Sequence, residues 1–428
     1  MSLSTDPHGR PDPARVGPSV DEAAEASAYQ GMWRSLLPIG LDAGSGGYRR
    51  FAWNAADLAC REWFRAQAAD RGLDVETDRN GNLWAWWGPQ GPDAVVTGSH
   101  LDSVPDGGAF DGPLGIVSAF AAVDVLRARG FTPAKPFAVA CFVDEEGARF
   151  GIACAGSRLL TGALDADKAR GLRDLDGVTM EQAMEAAGQD PATLGRDDER
   201  LAGIAAYVEL HVEQGKALAF TESPVAVASA IWPHSRWRFD FEGEANHAGT
   251  TRLDDRRDPM LSYATTVLAA RKKARLGGAV ATFGRIVVEP NGTNAIPSRV
   301  RAWLDVRAPG DDILDSVTQE IIQAAEERSG RDGTKLHTER ESHTAVVEFD
   351  HVLRNRLAGS LRPSFGDVPI LPTGAGHDAG ILAGAVPTAM LYVRNPSGVS
   401  HAPGEHADDR DCLAGVTALA DVLQELAS

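Results

Sequence analysis

Ala94-Val95-Val96-Thr97-Gly98-Ser99-His100-Leu101-Asp102 is the stretch on which the fold of this chain turns. Its first half is a short apolar run ending in glycine, the pattern of a buried strand. Its second half places an imidazole and a carboxylate two residues apart, on one side of an extended strand end. Nine residues after Asp102 comes Asp111, followed by Gly112-Pro113, which opens a helix to about Arg129 with proline in the first turn, where its missing N–H does no harm. The arrangement recurs: Phe137 to Val143 reads as a second buried strand and runs into Asp144-Glu145-Glu146-Gly147. Tyr207 to His211 is a third candidate. Strand, helix and strand in alternation imply an α/β sheet covered by helices on both faces.

Working outward, Asp21 to Leu37 reads as a helix, and Asn54 can cap a second one through about Arg71. Residues 74 to 87 form two strands around Asn80-Gly81, a pair suited to positive φ. The middle third has a different rhythm. Val225 to Ile231 and Arg236 to Glu242 are strands, the second alternating Trp237, Phe239 and Phe241 on one face. A helix from about Pro259 to Arg275 follows, then strands at Ala281 to Glu289 and Arg299 to Arg307. Ile313, Leu314, Val317, Ile321 and Ile322 mark a helix at 3.6-residue spacing, and Lys335 to Glu341 closes the set. These elements, in split β-α-β order, make a unit of their own. The α/β pattern then resumes, with a buried segment at Val386 to Val393. The expected architecture is an α/β catalytic domain with a central mixed sheet (residues 21–216 and 343–428), a disordered start (1–20), and an inserted α+β, ferredoxin-like lid or dimerisation domain (217–342).

The length of 428 residues makes two domains the default. A net charge of −18, spread along the chain, argues against nucleic acid and anionic membrane surfaces, both of which need positive patches. No apolar run approaches the ~18 residues of a membrane span, and the first twenty residues lack the apolar core of a signal peptide; the cytoplasm is the expected address. Cys60, Cys141, Cys154 and Cys412 show no CxxC spacing and read as reduced, buried thiols.

Imidazole and carboxylate at buried strand ends are the components of a hydrolytic zinc or manganese site. Asp102 is placed to hold the His100 ring and fix which nitrogen faces a metal. Asp111 can bridge two ions with its two oxygens; Asp106 is its rival, and the helix-opening Gly-Pro favours Asp111. Two adjacent glutamates in a buried place are costly unless a cation neutralises them. Their natural division is one ligand and one general base. Each motif alone has a plainer reading. His-x-Asp is commonly structural, Asp-Glu-Glu-Gly can be an exposed loop, and His211, in Val208-Glu209-Leu210-His211, can be a hydrogen-bonded core residue. His401, in Val399-Ser400-His401-Ala402-Pro403, is weak by itself, and His247, in a polar glycine-containing turn, is equally suited to facing solvent.

Taken together and in order, the segments 98–112, 144–151, 209–215, 245–252, 294–307, 374–379 and 400–406 resemble the amidase branch of the aminoacylase and carboxypeptidase superfamily of di-metal hydrolases. That branch comprises N-carbamoyl-L-amino-acid hydrolases, β-ureidopropionases and allantoate amidohydrolases. The resemblance runs from about residue 25 to the end. It implies two divalent ions, zinc or manganese, one held by His100, Asp111 and His211 and the other by Asp111, Glu146 and His401, with Glu145 as general base. Histidine at position 211, where peptidase relatives carry an acid, favours the amidase branch. The resemblance also implies that His247 crosses a dimer interface to stabilise an oxyanion, and that Asn294 and Arg307 hold a substrate carboxylate, with Arg299 and Arg301 as competitors for that role. Gln214, His377 and the backbone at Gly376 would line the ureido pocket, although His377 can instead be a packed structural residue. The implied partners are a small anionic ureido substrate and a second copy of the chain joined through the lid. Allantoate is the favoured substrate, with N-carbamoyl-L-amino acids close behind, on likeness around Trp232 to Arg238 and Tyr392 to Val399. The bulky turn Ile231-Trp232-Pro233-His234-Ser235-Arg236-Trp237 departs from the shorter apolar equivalent of carbamoylases, and packing of the lid is its first explanation. Aminoacylase or dipeptidase activity, or a non-catalytic binding role, are the more distant alternatives.

Overall fold

The computed structural model describes residues 20–428, with side chains from Ala26 onward; the expectation for the first residues of the chain lies outside the described ones. Fifteen strands are present among them: β1 Asp74–Thr77, β2 Leu83–Trp87, β3 Ala94–His100, β4 Phe137–Phe142, β5 Ile204–Val212, β6 Val225–Ile231, β7 His234–Glu242, β8 Asn246–His247, β9 Val280–Glu289, β10 Ala295–Ile296, β11 Arg299–Arg307, β12 Lys335–Thr344, β13 Val347–Glu348, β14 Ile370–Thr373 and β15 Thr388–Val393. The helices are α1 Val20–Leu36, α2 Ala55–Asp70, α3 Pro113–Ala128, four short ones (α4 Ala155–Thr161, α5 Ala166–Gly171, α6 Met180–Ala186, α7 Asp198–Gly203), α8 Pro259–Gly277, α9 Asp311–Asp332, α10 His351–Phe365, α11 Asp378–Leu382 and α12 Asp409–Leu426. No described helix is long and apolar enough to cross a membrane.

Nine strands form one mixed sheet in the order β1-β2-β4-β3-β5-β15-β6-β13, with β14 also paired to β6. Its centre, β4-β3-β5-β15, is parallel. These strands are buried along their length because helices cover both faces, as parallel sheets require. One layer packs α3 and α12 through Ile116, Phe120, Val416 and Leu423; the other face buries Trp84, Phe142, Tyr207 and Met390. Asn54 accepts the Asp57 N–H and caps α2, as its position before the helix suggests. The carboxyl ends of the parallel strands all open on one side, where open α/β sheets bind their ligands.

The second sheet is antiparallel, β12-β7-β11-β9, with α8 and α9 packed on one face over Phe239, Phe241, Val300, Leu304, Val317 and Ile321. One strand is differently placed from the expectation. Val225–Ile231, assigned above to the inserted unit, belongs to the large sheet, where it pairs with β15, β13 and β14. The physical reason is legible afterwards: Val-Ala-Val-Ala is apolar on both faces, whereas β7 alternates and buries one. The four-stranded unit therefore runs from His234 to Thr344 rather than from 217 to 342.

Candidate metal centre and substrate cleft

The sequence puts His100 at the end of β3, His211 near the end of β5, Glu145-Glu146 just beyond β4, and His401 eight residues after β15. Folding the parallel strands side by side brings all four to Asp111, which sits in the turn before α3. Asp111 Oδ1 lies 3.6 Å from His100 Nε2 and 3.2 Å from His211 Nε2, while Oδ2 lies 3.3 Å from His401 Nε2. His401 Nε2 is in turn 3.6 Å from Glu146 Oε2. Two groups that could each hold an ion result, His100-Asp111-His211 and Asp111-Glu146-His401, and one carboxylate belongs to both; a third, Glu209-His211-His377, overlaps the first. The rival Asp106 is instead on the surface, paired with Arg49 and Ser45.

The tautomers are set by the second ring nitrogens. His100 Nδ1 lies 3.1 Å from the Asp102 carbonyl and His211 Nδ1 lies 2.8 Å from the Val212 carbonyl. A carbonyl only accepts, so in each neutral ring Nδ1 carries the proton and Nε2 presents its lone pair to the cluster. His100 Nε2 is buried and without a hydrogen-bond partner, which is the condition of a ligand nitrogen. Gly112 is obligatory here: its φ is +82°, and a Cβ would stand 2.4 Å from His100 Cε1. His401 is itself held at φ +56°, a strained backbone of the kind that gathers at functional sites.

Asp102 does more than orient His100. Its two oxygens accept the backbone N–H groups of Glu145 (3.1 Å) and Glu146 (3.0 Å), fixing the glutamate pair relative to the histidine. Glu145 Oε2 is 3.7 Å from His100 Nε2, and its other oxygen accepts the Cys154 thiol at 3.3 Å. Burial drives the Glu145 carboxyl well above its ordinary range, against the pull of His100. Glu146 is pushed up to about 7 by burial and by Asp111. Three carboxylates crowded around imidazole lone pairs, in a mixed N/O set, fit two divalent cations.

Gln214, expected at the ureido pocket, lies within the second ligand group: its Nε2 donates to Asp111 Oδ2 at 2.7 Å and is 3.1 Å from both Ser400 Oγ and His401 Nε2. His377 is buried, 4.5 Å centroid to centroid from His211, and burial holds it far below its ordinary range. Three supporting acids went unread in the sequence. Glu405 accepts the N–H groups of Phe110 and Asp111 and so anchors the bridging residue. Glu209, beneath His211, takes the Ser99 hydroxyl and the Ala379 N–H, and Asp378 takes the Ser157 hydroxyl. An acid inside the apolar run of β5 was the one available sign of Glu209.

From the other sheet, Arg307 reaches across and donates through Nη1 to the Gly374 carbonyl, while Nε and Nη2 engage Asp305. A cavity of about 430 Å³ joins Arg307 and Gly374 to Gln214, Ser400 and His401. Gly376 is exposed in the loop that leads to His377. Arg299 and Arg301, the competitors for the clamp, are bound by Asp240 instead. Asn294 is not brought to Arg307. It is exposed beside His247, its carbonyl accepting the Ala248 N–H, beyond the opposite end of β11. Eight extended residue steps separate Arg299 from Arg307, about 26 Å at the usual rise. His247 is likewise exposed at that far end; its Nδ1 accepts the Gly249 and Thr250 N–H groups, which leaves Nε2 as the donor in the neutral ring.

The same chain compares with known proteins along nearly its whole length. The model of peptidase family M20/M25/M40 matches residues 96–425. The N-carbamoyl-L-amino acid amidohydrolase of Geobacillus stearothermophilus is 36% identical over 403 residues, covering 92% of this chain and 98% of that one. The allantoate amidohydrolase of Bacillus subtilis (strain 168) is 32% identical over 380 residues, covering 86% and 92%. Among solved structures, an amidase of the hydantoinase/carbamoylase family from Burkholderia multivorans superposes with a TM-score of 0.84 at 27% identity, covering 94% and 98%. The chain belongs to peptidase family M20/M25/M40, within its branch of hydantoinase/carbamoylase-type amidohydrolases, the enzymes of which cleave C–N bonds.

Proposed function

We infer that the protein hydrolyses the ureido C–N bond of a small carboxylate-bearing substrate, using two divalent ions. The observation that carries this reading is the sharing of Asp111 between two ligand groups that open, through His401, onto the cavity holding Arg307. Divalent ions bound there would activate a water and polarise the carbamoyl oxygen. Glu145, fixed by Asp102 through its backbone, accepts the proton of that water and returns it to the leaving nitrogen. Arg307 presents a planar guanidinium to the substrate carboxylate. The products are the amine and carbamate, which decomposes to carbon dioxide and ammonia.

Within this class the surroundings of Arg307 favour an N-carbamoyl-L-amino acid over allantoate, which the sequence put first. The second arm of allantoate is a neutral ureido group, whereas the groups around Arg307 are largely cationic: Arg236 shares Asp305 with it, and His234 stands opposite it on β7. Ammonia release from N-carbamoyl-L-amino acids, allantoate, N-acetyl amino acids and dipeptides, by metal-reconstituted protein, tests both levels. Turnover only of dipeptides or N-acetyl compounds would replace the ureido reading.

A homodimer through the lid completes the proposal. On α8, Leu261, Leu268 and Leu276 project from one side and are 51%, 68% and 74% exposed; beside them β9 is an edge strand exposing Val280, Ile286 and Val287. An apolar stripe next to an open strand edge is suited to a second copy. That copy is also where His247 and Asn294 find a use, since they stand far from the cavity of their own chain.

A further inference from the structure

Of the four buried cysteines, Cys154 stands where its side chain bears on the reaction. It lies at the entrance to α4, nine positions after Glu145. There the chain returns in step with the strand end it has just left. The N–H groups of Cys154, Ala155 and Gly156 donate in turn to the carbonyls of Glu145, Asp144 and Val143. The return is tight: Gly147 has φ +62°, and a Cβ on it would stand 2.4 Å from the Ile152 carbonyl carbon. Cys154 is itself held at φ +56°, in the left-handed region that glycine adopts without strain. A side chain kept at such a position points to a use for that side chain.

What the side chain touches is Glu145. Both residues are buried, and Cys154 Sγ lies 3.3 Å from Glu145 Oε1, within hydrogen-bonding reach for sulfur. A carboxylate only accepts, so the bond runs from the S–H. Burial, and next the Glu145 charge, push the thiol well up, which keeps its proton on sulfur. This thiol is the one hydrogen-bond donor on the Glu145 carboxylate among the described residues. Oε2 is left on the side of the ligand groups, 3.7 Å from His100 Nε2. The last torsion of a glutamate side chain is broad and two-fold. Without the thiol, either oxygen could turn toward the ligand groups, and the one turned away would be buried without a partner.

We propose that Cys154 is a positioning residue for the general base, its S–H holding Oε1 of Glu145 so that Oε2 alone takes and returns the proton. The role rests on the reading of Glu145 as base and adds the group that decides which of its oxygens works. An O–H bond of the attacking water breaks as its proton passes to Oε2. The Oε2–H bond then breaks as that proton passes to the leaving nitrogen, and the sulfur keeps its own proton throughout. A carboxylate fixed in advance spares each turnover a reorientation of the base.

The test is the kinetics of Cys154→Ala, Cys154→Val and Cys154→Ser, as metal-loaded full-length protein, on the C–N substrate that the unaltered protein turns over fastest. Alanine removes the donor and its volume, valine the donor alone. In both, kcat per metal-loaded chain should fall about tenfold, the lower end for a hydrogen bond to a charged group, with KM and metal content unchanged. Serine keeps a donor on a shorter bond, and its kcat should lie nearer the unaltered protein than alanine's does. On the residual rate of Glu145→Gln, Cys154→Ala should cost nothing further, because the thiol acts through the carboxylate. An unchanged kcat in alanine and valine, a serine variant as slow as alanine, or the same further loss in Glu145→Gln would overturn the role. Full turnover by Glu145→Gln would remove the base itself; an inactive Glu145→Gln beside a fully active Cys154→Ala removes only the positioning. The S–H infrared stretch, assigned by its loss in Cys154→Ser, gives a readout that needs no substrate. It should move to higher frequency in Glu145→Gln, where the acceptor is neutral, and a stretch that ignores that substitution would also overturn the role.

Discussion

The metal cradle and the far end of the lid are opposites. Around Asp111 every ligand comes from the carboxyl end of a buried strand or the loop just after it, and the supporting bonds from Asp102, Glu405 and the backbone carbonyls lie within one chain. His247 and Asn294 are exposed beyond the end of β11 opposite to Arg307, a strand about 26 Å long. A preorganised electrostatic site needs rigid, water-excluding surroundings. The cradle has them in the monomer, and the lid tip acquires them only against another surface. The difference teaches that ion binding should be a property of one subunit and substrate turnover a property of two.

The sharpest way to break that comparison is Glu145→Gln. Turnover should fall by about 10²–10⁴-fold, the range for loss of a general acid-base group, while metal analysis still finds two equivalents per chain. Loss of metal would move Glu145 into the ligand shell. Next in size, His247→Ala should lower kcat by about 10²–10³-fold, as for removal of an oxyanion donor, with metal content unchanged. Mixing Glu145→Gln with His247→Ala subunits, each inactive alone, should restore part of the activity if the histidine acts across the interface. No recovery after subunit exchange would return His247 to a role within its own chain. Arg307→Ala should act on KM more than on kcat, by about 10- to 100-fold, the worth of a charge-assisted hydrogen-bond pair at roughly 1.5–3 kcal/mol. An unchanged KM for carboxylate substrates would take Arg307 out of the clamp. Smallest in its effect on the fold is Leu268→Glu, at an exposed position: unfolding should shift within about 0.5 kcal/mol, yet sedimentation should show the monomer. A dimer that survives would place the interface elsewhere.

Much of the cradle could be read from the chain because its parts are local. A buried strand announces itself by an apolar run, its end by a polar break, and His100, Glu146 and His211 fall at such breaks. Asp111 over Asp106 was decided by Gly112-Pro113, and the structure adds why that glycine must be there: the His100 ring occupies the space of a side chain. The supports were harder. Glu405 anchors Asp111 from 294 positions away, and no local pattern marks an acid whose partners are two distant backbone N–H groups. His377 was divided between pocket and packing because its own neighbours, Gly376 and Asp378, suit either; the structure buries it against His211. The lid boundary was misplaced because β6 and β7 are consecutive strands, and the apolar pattern of β6 says that it is buried without saying in which sheet.

Composition, strand-end chemistry and ordered motifs were enough to determine the α/β class, the amidohydrolase kind of reaction and a candidate set of ligand residues, because each depends on residues close along the chain or on a pattern with a fixed period. The tertiary structure alone decided which oxygen of Asp111 faces which histidine, that Asn294 lies beyond the far end of the strand that carries Arg307, and that His234 is paired opposite Arg307. Those are distances between groups whose separation in space is set by strand pairing and register, and neither is written in any single segment.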